Sequence, residues 1–167
     1  SFEEVEHLIE NGCRNIAMLS GKKTAQVSER RECGYRRALE KYGLHIREEW
    51  IEDCLFDQKT AVQKSIELKK SYPEIDAFFC VSDGVAVGAI EGMGQLGVRV
   101  PDDVAIAGFD DYTVSQYIHG GITSIKQYPY KMGVACANTV ISMIEGNRVP
   151  DWIPMEYKLM KRASTKK

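Results

Sequence analysis

Residues 77–109, AFFCVSDGVAVGAIEGMGQLGVRVPDDVAIAGF, decide the fold of this chain. The apolar runs Ala77–Val81 and Val104–Phe109 predict two buried strands. The stretch between them, from Val85 to Leu96, has helical periodicity and is followed by Gly97, a residue typical of helix ends. A strand, a helix and a second strand in this order favour a right-handed crossover and parallel pairing.

The same alternation continues on both sides of this unit. Further strands are predicted at Asn15–Ser20, Trp50–Leu55 and Thr123–Lys126, and amphipathic helical patterns separate them. We find no internal repeat and no linker rich in glycine and serine. The sequence therefore predicts an α/β fold with a doubly wound parallel sheet.

Length and composition exclude several classes of protein. The chain has 167 residues, 44% apolar and 28% charged, which is typical of one globular domain with at most a fragment of a second. It has no apolar run near the ~20 residues of a membrane helix. The net charge is −2 and the basic residues are scattered, so direct contact with nucleic acid is not expected. The start of the chain resembles neither a signal peptide nor a transit peptide, and it lacks an initiator Met, as a fragment would.

The cysteines indicate a reducing, cytoplasmic environment. There are five, an odd number, and they are far apart without C-x-x-C spacing. This pattern argues against a zinc site and against a disulfide framework. We predict neither a metal nor a cofactor. The positions are Cys13, Cys33, Cys54, Cys80 and Cys136.

Polar residues follow each predicted strand, at the edge where ligands bind in doubly wound sheets. Carboxylates, amides and hydroxyls recur there together with one aromatic ring. This combination suits a neutral, polyhydroxylated ligand, whereas its carboxylates would repel a phosphate. The residues at these strand ends are Ser20-Gly21, Phe56-Asp57, Ser82-Asp83, Asp110-Asp111 and Gln127.

Two glycine motifs do not have the context that a nucleotide site needs. Residues 92–97 match G-x-G-x-x-G, but they end a helical pattern instead of following a strand and opening a helix. Residues 21–24, Gly-Lys-Lys-Thr, are similar to the end of a P-loop, yet position 16 is Ile16 where the first glycine would stand.

Catalytic machinery is not evident, and we predict that the protein is not an enzyme. His7, His45 and His119 lie far apart in the sequence, and none is beside a candidate nucleophile. Asp110 and Asp111 are adjacent, so in an extended chain they point in opposite directions and make a poor acid–base pair. One of them is expected to bind ligand and the other to bond the backbone.

Six short segments carry a family resemblance. They are His7–Ile16, Arg31–Leu39, Phe79–Asp83, Val100–Val104, Gly108–Asp111 and Thr123–Gln127. They are similar to the patterns H-L-x-x-x-G-x-x-x-I, R-x-x-G-Y-x-x-A-L, F-C-A-N-D, V-P-E-D-V, G-F-D-D and T-T-V-x-Q. In this order and spacing, over nearly the whole chain, they resemble the LacI/GalR family of bacterial transcription regulators.

The resemblance implies a two-lobed fold like that of periplasmic sugar-binding proteins, closing on a small effector. It also implies that a helix-turn-helix headpiece, which would contact the DNA operator, and most of the first lobe are not in this chain. Residues 1–11 would be a helix of that first lobe, and residues 12–126 would form the C-terminal lobe. Residues 127–150 would cross between the lobes, and residues 151–167 would be terminal strands and a tail.

The resemblance also carries over three principal ligand contacts. Arg31 matches an arginine that donates to sugar hydroxyls, and its rigid fork suits that task. Phe56 matches the aromatic residue that covers a sugar face. Asp110 matches the carboxylate that accepts from two hydroxyls.

Three further residues are assigned to the site with alternatives. Ser82 replaces the usual asparagine of the family, so it keeps a hydroxyl but lacks the amide donor. Asp83 either contacts the ligand or caps the following helix. Gln127, where the chain crosses between lobes, contacts either the ligand or the hinge.

The family resemblance implies a two-fold dimer. Gly88, Ala89, Gly92 and Met93 offer a small-residue surface on one helix. Val114, Tyr117 and Ile118 place apolar side chains in a loop, where they either meet a partner or close over the sheet edge; of these, the predicted contacts are Tyr117 and Ile118.

The leading hypothesis is thus the effector-sensing and dimerisation domain of a sugar-responsive repressor, with no membrane association. The alternative is a periplasmic sugar-binding protein of a transporter, which the unpaired cysteines and the G-F-D-D segment disfavour. An enzyme with the same fold is a third hypothesis.

Overall fold

Parallel strands and intervening helices build the main layer of the structure, a computed structural model that describes residues 1–166. The strands pair in the order β2-β1-β3-β4, all parallel. They are β1 (Ile16–Ser20), β2 (Ile51–Asp53), β3 (Ala77–Cys80) and β4 (Ala105–Ala107).

Helices cover both faces of this sheet. The covering helices are α1 (Phe2–Glu10), α2 (Gln26–Lys41), α3 (Gln58–Ser71) and α4 (Asp83–Gln95), while a fifth helix, α5 (Pro129–Ile144), has no buried residue. The first two pack on one face, in a core that includes Leu8, Tyr35 and Phe79. The third and fourth pack on the other, in a core that includes Phe78 and Met93. The predicted doubly wound α/β class is confirmed.

Local sequence explains where several elements begin and end. The residues of β1, β3 and β4 are all buried, which is typical of parallel strands covered on both faces. Asp57 caps α3, because its carboxylate accepts from the amide of Thr60 at 2.8 Å. Gly97 follows α4 with φ +70°, a left-handed conformation that glycine adopts without steric penalty.

A small antiparallel pair extends the edge of the sheet. It consists of β5 (Ser124–Gln127) and β6 (Tyr157–Met160). Isolated parallel bridges, Ala107 with Thr123 and Asp110 with Lys126, hold β5 beside β4. Gln127 therefore ends at the same edge as the carboxyl ends of the parallel strands.

The first helix is located differently from the prediction. Residues 1–11 were assigned to the other lobe, but α1 buries Val5, Leu8 and Ile9 in the core it shares with Tyr35 of α2. Its apolar stripe thus finds its partner within the main layer, so in this structure α1 is an integral part of that layer.

The C-terminal segment also returns to the main layer. The ring nitrogen Nε2 of His7 lies 3.0 Å from the hydroxyl of Thr165, and Ser164 donates to the carbonyl of Ile106 at 2.6 Å. These contacts lie in the range predicted as terminal strands and tail, whose last residue, Lys167, is outside the described residues.

The small residues of α4 correct the predicted dimer surface. Gly88 and Gly92 face α3 so closely that a side chain would overlap Ala61 and Ser65. Ala89 and Met93 are fully buried in the same core. Gly88 and Gly92 therefore serve close packing between α3 and α4, Ala89 and Met93 belong to the core, and none of the four is available to a second molecule.

Candidate functional site

Asp110 is the centre of a polar cluster at the carboxyl edge of the sheet. Its Oδ1 accepts from Nη2 of Arg31 at 3.0 Å and from Nε2 of Gln127 at 2.6 Å. The three residues come from α2, from the turn after β4 and from the end of β5. They are 79 and 17 positions apart in sequence, so the fold alone brings them together.

Arg31 is held in place by more than this ion pair. It also donates through Nη1 to the carbonyl of Val81, directly after β3. Its guanidinium lies 3.8 Å from the centre of the Phe109 ring, a cation–π contact. Only 11% of the Arg31 side chain and 16% of the Asp110 side chain are exposed, so water screens this pair weakly.

The two adjacent aspartates have separate surroundings. Asp110 and Asp111 have φ values of +99° and +53°, which L residues seldom adopt. Asp111 is turned inward, where its side chain is 1% exposed and pairs with Nη2 of Arg162 at 2.6 Å. The turn thus directs one carboxylate to the sheet edge and the other to an internal ion pair.

Ser82 takes the helix-capping role that was an alternative for Asp83, and Asp83 points into the interior. Ser82 caps α4, since its hydroxyl accepts from the amide of Val85 at 3.4 Å. Asp83 is the first residue of α4 and is fully buried. Burial raises the pKa of the Asp83 carboxyl, although hydrogen bonds from Ser115, Ser124 and Tyr112 oppose this. Because Asp83 accepts from these internal donors and is not exposed, the prediction that it contacts ligand is wrong.

Phe56 lies at the same edge, over the end of β1. Its ring packs directly against Gly21, where a side chain would overlap it. Leu55 and Phe56 have positive φ values of +54° and +58°, and Phe56 is 37% exposed. The ring is therefore held in a sharp turn with one part open to solvent, as a residue covering a ligand would need.

Three residues near the cluster were not predicted. Phe109 supports Arg31, and its position in the G-F-D-D segment was the available signal. Tyr112 is half-exposed, and the negative charge of Asp110 raises the pKa of its hydroxyl. Glu4 is fully buried, and its carboxyl faces the backbone of Ile125 in β5. Burial raises the pKa of Glu4 well above its ordinary value of 4.5. The amino group of Ser1 and the guanidinium of Arg31 oppose this shift, and Asp83 adds to it.

Other predicted elements lie apart from this cluster. His7 bonds to the C-terminal segment, and Nε2 of His119 lies 2.6 Å from the carbonyl of Val100. Within residues 1–166, no three histidine, cysteine or acidic side chains are arranged so that they could hold a metal ion. None of the helices in that same range has the length and apolar character needed to cross a membrane.

A family model and curated relatives match this chain over most of its length. The model is described as a periplasmic binding protein-like domain and matches residues 5–165. The HTH-type transcriptional repressor PurR of Actinobacillus pleuropneumoniae is 29% identical over 164 residues, which are 96% of this chain and 49% of that protein. The chain therefore spans about half the length of this curated relative.

Solved structures share the fold closely. A structure described as a transcriptional regulator CelR–cellobiose complex is 33% identical and has a TM-score of 0.91, covering 96% of this chain and 49% of that one. A regulatory protein of the LacI family from Chloroflexus aggregans is 28% identical with a TM-score of 0.91, covering 98% of this chain and 59% of that one.

Proposed function

The chain belongs to the periplasmic binding protein-like domain family, in the branch that LacI-type transcriptional regulators carry, and from this premise we propose that it senses a small effector for such a regulator. The effector would change the affinity of a helix-turn-helix headpiece for its operator, because it binds one arrangement of the two lobes more tightly than the other. A regulator of this kind would act in the cytoplasm.

The observation that carries this proposal is the Arg31–Asp110–Gln127 cluster. A carboxylate offers about four lone-pair positions, and Arg31 and Gln127 occupy two of them on Asp110. The hydroxyl of Tyr112 also interacts with this carboxylate, and the positions that are left suit the hydroxyl groups of a ligand. The ion pair with Arg31 fixes the position of the carboxylate, so the half-site is preorganised before a ligand arrives.

The side chains around the cluster favour a neutral polyol as the ligand, and the proposed effector is a sugar. Phe56 would cover an apolar face of the ring, and the hydroxyl of Ser82 would add a short polar contact at the start of α4. The relative solved with cellobiose supports this ligand class. Contacts from the first lobe would complete the site.

The proposed regulator also works as a homodimer, since operators with paired half-sites are read by two-fold dimers. Of the predicted dimer contacts, Tyr117 remains a candidate, because its side chain is 78% exposed. Val114, three positions earlier, is 53% exposed. Ile118 is partly buried against the core, so it would support the contact from below.

A thermal-shift screen of neutral sugars and sugar phosphates on the intact protein tests the proposal. A ligand at 100 times its dissociation constant adds about 2.7 kcal/mol of stability. We expect a neutral sugar to raise the melting temperature of the wild type and of Asp102→Asn, an exposed control, and to raise that of Asp110→Asn clearly less.

A gel shift with operator DNA then separates the two functions considered. A sugar that binds and changes operator affinity supports the regulator. A sugar that binds without any effect on DNA affinity would favour a transport protein, and the absence of any sugar response would overturn the effector site.

A further inference from the structure

The turn that presents Asp110 is held by a side chain that does not reach the ligand edge. Asp83, at the start of α4, accepts through Oδ2 from the amide of Tyr112 at 2.7 Å and from the hydroxyl of Ser115 at 2.6 Å. Its Oδ1 accepts from the hydroxyl of Ser124 at 2.7 Å. One buried carboxylate therefore joins three separate segments.

These bonds lie on both sides of Asp110. The backbone amide of Asp83 donates to the carbonyl of Phe109 at 2.8 Å, immediately before Asp110. Ser124 accepts from the amide of Asp111 at 3.0 Å, immediately after it. Phe109 is thus tied to the backbone of Asp83, and Asp111 is tied through Ser124 to its carboxylate.

The turn needs such restraint because its backbone is unfavourable. Asp110 and Asp111 both have positive φ, and neither is glycine. Conformations of this kind persist where the surrounding structure over-determines them. The backbone of Gly108 also approaches Asp83 so closely that a side chain at position 108 would overlap its carboxylate.

We propose that Asp83 is a positioning residue of the effector site, which acts by holding the Phe109–Tyr112 turn so that Asp110 faces Arg31 and Gln127. This inference rests on the proposed function for its consequence, which is the loss of effector affinity when the turn relaxes. Asp83 is fully buried, so its influence passes through Asp110. Its place in the first turn of α4 favours the negative charge that three donors require.

Two buried serines make a matched pair for the test. Ser124 donates to Asp83 and accepts from Asp111, whereas Ser164 donates to the carbonyl of Ile106 and accepts from the amide of Thr123. Both are fully buried and each makes one bond of each kind. Ser124→Ala and Ser164→Ala should therefore lose similar stability, but only the first releases the Asp110 turn.

The readout is the guanidinium of Arg31 in NMR spectra of the intact protein, which needs no effector. Exchange of its Nη protons with water should be roughly tenfold faster in Ser124→Ala, about the effect of one hydrogen bond to a charged group, and nearly unchanged in Ser164→Ala. Asp83→Asn, which can still accept from Tyr112 and Ser115, should retain most of the protection that Asp83→Ala loses.

Equal exchange in the two serine variants would overturn the positioning role, whether both kept or both lost the Arg31 protection. Protection that survives in Asp83→Ala would also overturn it. If Asp83→Ala does not fold, the serine pair still decides the outcome. A protein that binds no sugar but shows the expected NMR difference would refute the proposed ligand class and leave the positioning role intact.

Discussion

The carboxyl edge of the sheet and helix α5 contrast in how their side chains are satisfied. At the edge, Asp110 bonds to Arg31 and Gln127, and Asp83 collects three donors. In α5, no residue is buried, and Ile144 is 80% exposed. Within residues 1–166, the polar groups of the edge bond to one another, whereas the apolar side chains of α5 stay largely exposed.

This contrast shows that an apolar stripe in a helix sequence does not reveal which part of the protein will cover it. The apolar stripes of α1 and α5 are similar in the sequence, yet α1 is packed in the core while α5 is open.

The largest expected effect comes from comparing a methionine in the buried core with an exposed methionine on α5. Met93→Lys places a charge in the fully buried core between α3 and α4, and should destabilise the protein by about 3–5 kcal/mol or abolish its cooperative melt. Met143→Lys, on α5 and 60% exposed, should change the free energy of unfolding by less than about 0.5 kcal/mol. Urea denaturation measures both, and equal losses would erase the contrast.

The next effect sharpens the functional side of the comparison. Asp110→Asn should weaken binding of the sugar found in the screen by about 1.5–3 kcal/mol, the range for hydrogen bonds to a charged group. Isothermal titration calorimetry gives the affinity, and Asp102→Asn serves as the control. Unchanged affinity in a folded Asp110→Asn protein would remove this carboxylate from the site.

A pH series tests the buried carboxyl beneath the edge. The pKa of Glu4 is raised in the folded protein. The neutral carboxyl therefore makes its full contribution to the stability of the fold below about pH 4.5. This contribution is lost as the pH rises toward the raised pKa. Glu4→Gln avoids that loss. Its melting temperature should match the wild type near pH 4 and exceed it near pH 8 by roughly 2–4 °C, the shift that 1 kcal/mol produces in a domain of this size.

The control for this series is Glu10→Gln, an exposed carboxyl on the same helix. Its melting temperature should follow that of the wild type across the pH range. A parallel pH response of Glu4→Gln and the wild type would show that Glu4 is ionised in the folded protein.

The smallest effect on folding concerns two exposed tyrosines. Tyr117→Asp and Tyr130→Asp, at 78% and 84% exposure, should each alter stability by less than about 0.5 kcal/mol. Sedimentation velocity should nevertheless detect monomers only for Tyr117→Asp. Tyr130 lies on α5, which is not part of the proposed dimer contact. Dimers that persist in Tyr117→Asp would exclude the proposed contact surface.

Most of the framework was accessible from the sequence. Short apolar runs and helical periodicity predicted β1, β3 and β4 within two residues at each end, because buried parallel strands depend on local composition. The resemblance located Asp110 and Arg31, and the structure brings them to 3.0 Å. The close approach implied by Gly88 and Gly92 was also visible, but its partner is α3 and not a second chain.

By itself, the sequence determined the elements, the α/β class and the edge at which polar residues collect, since each depends on neighbours a few positions away. Only the tertiary structure decided which groups bond to one another there. Asp83 and Ser124 are 41 positions apart, and Asp83 is turned inward because α4 starts beneath the Asp110 turn. A carboxylate's role depends on whether donors or solvent face it, and that is set by packing between elements distant in sequence.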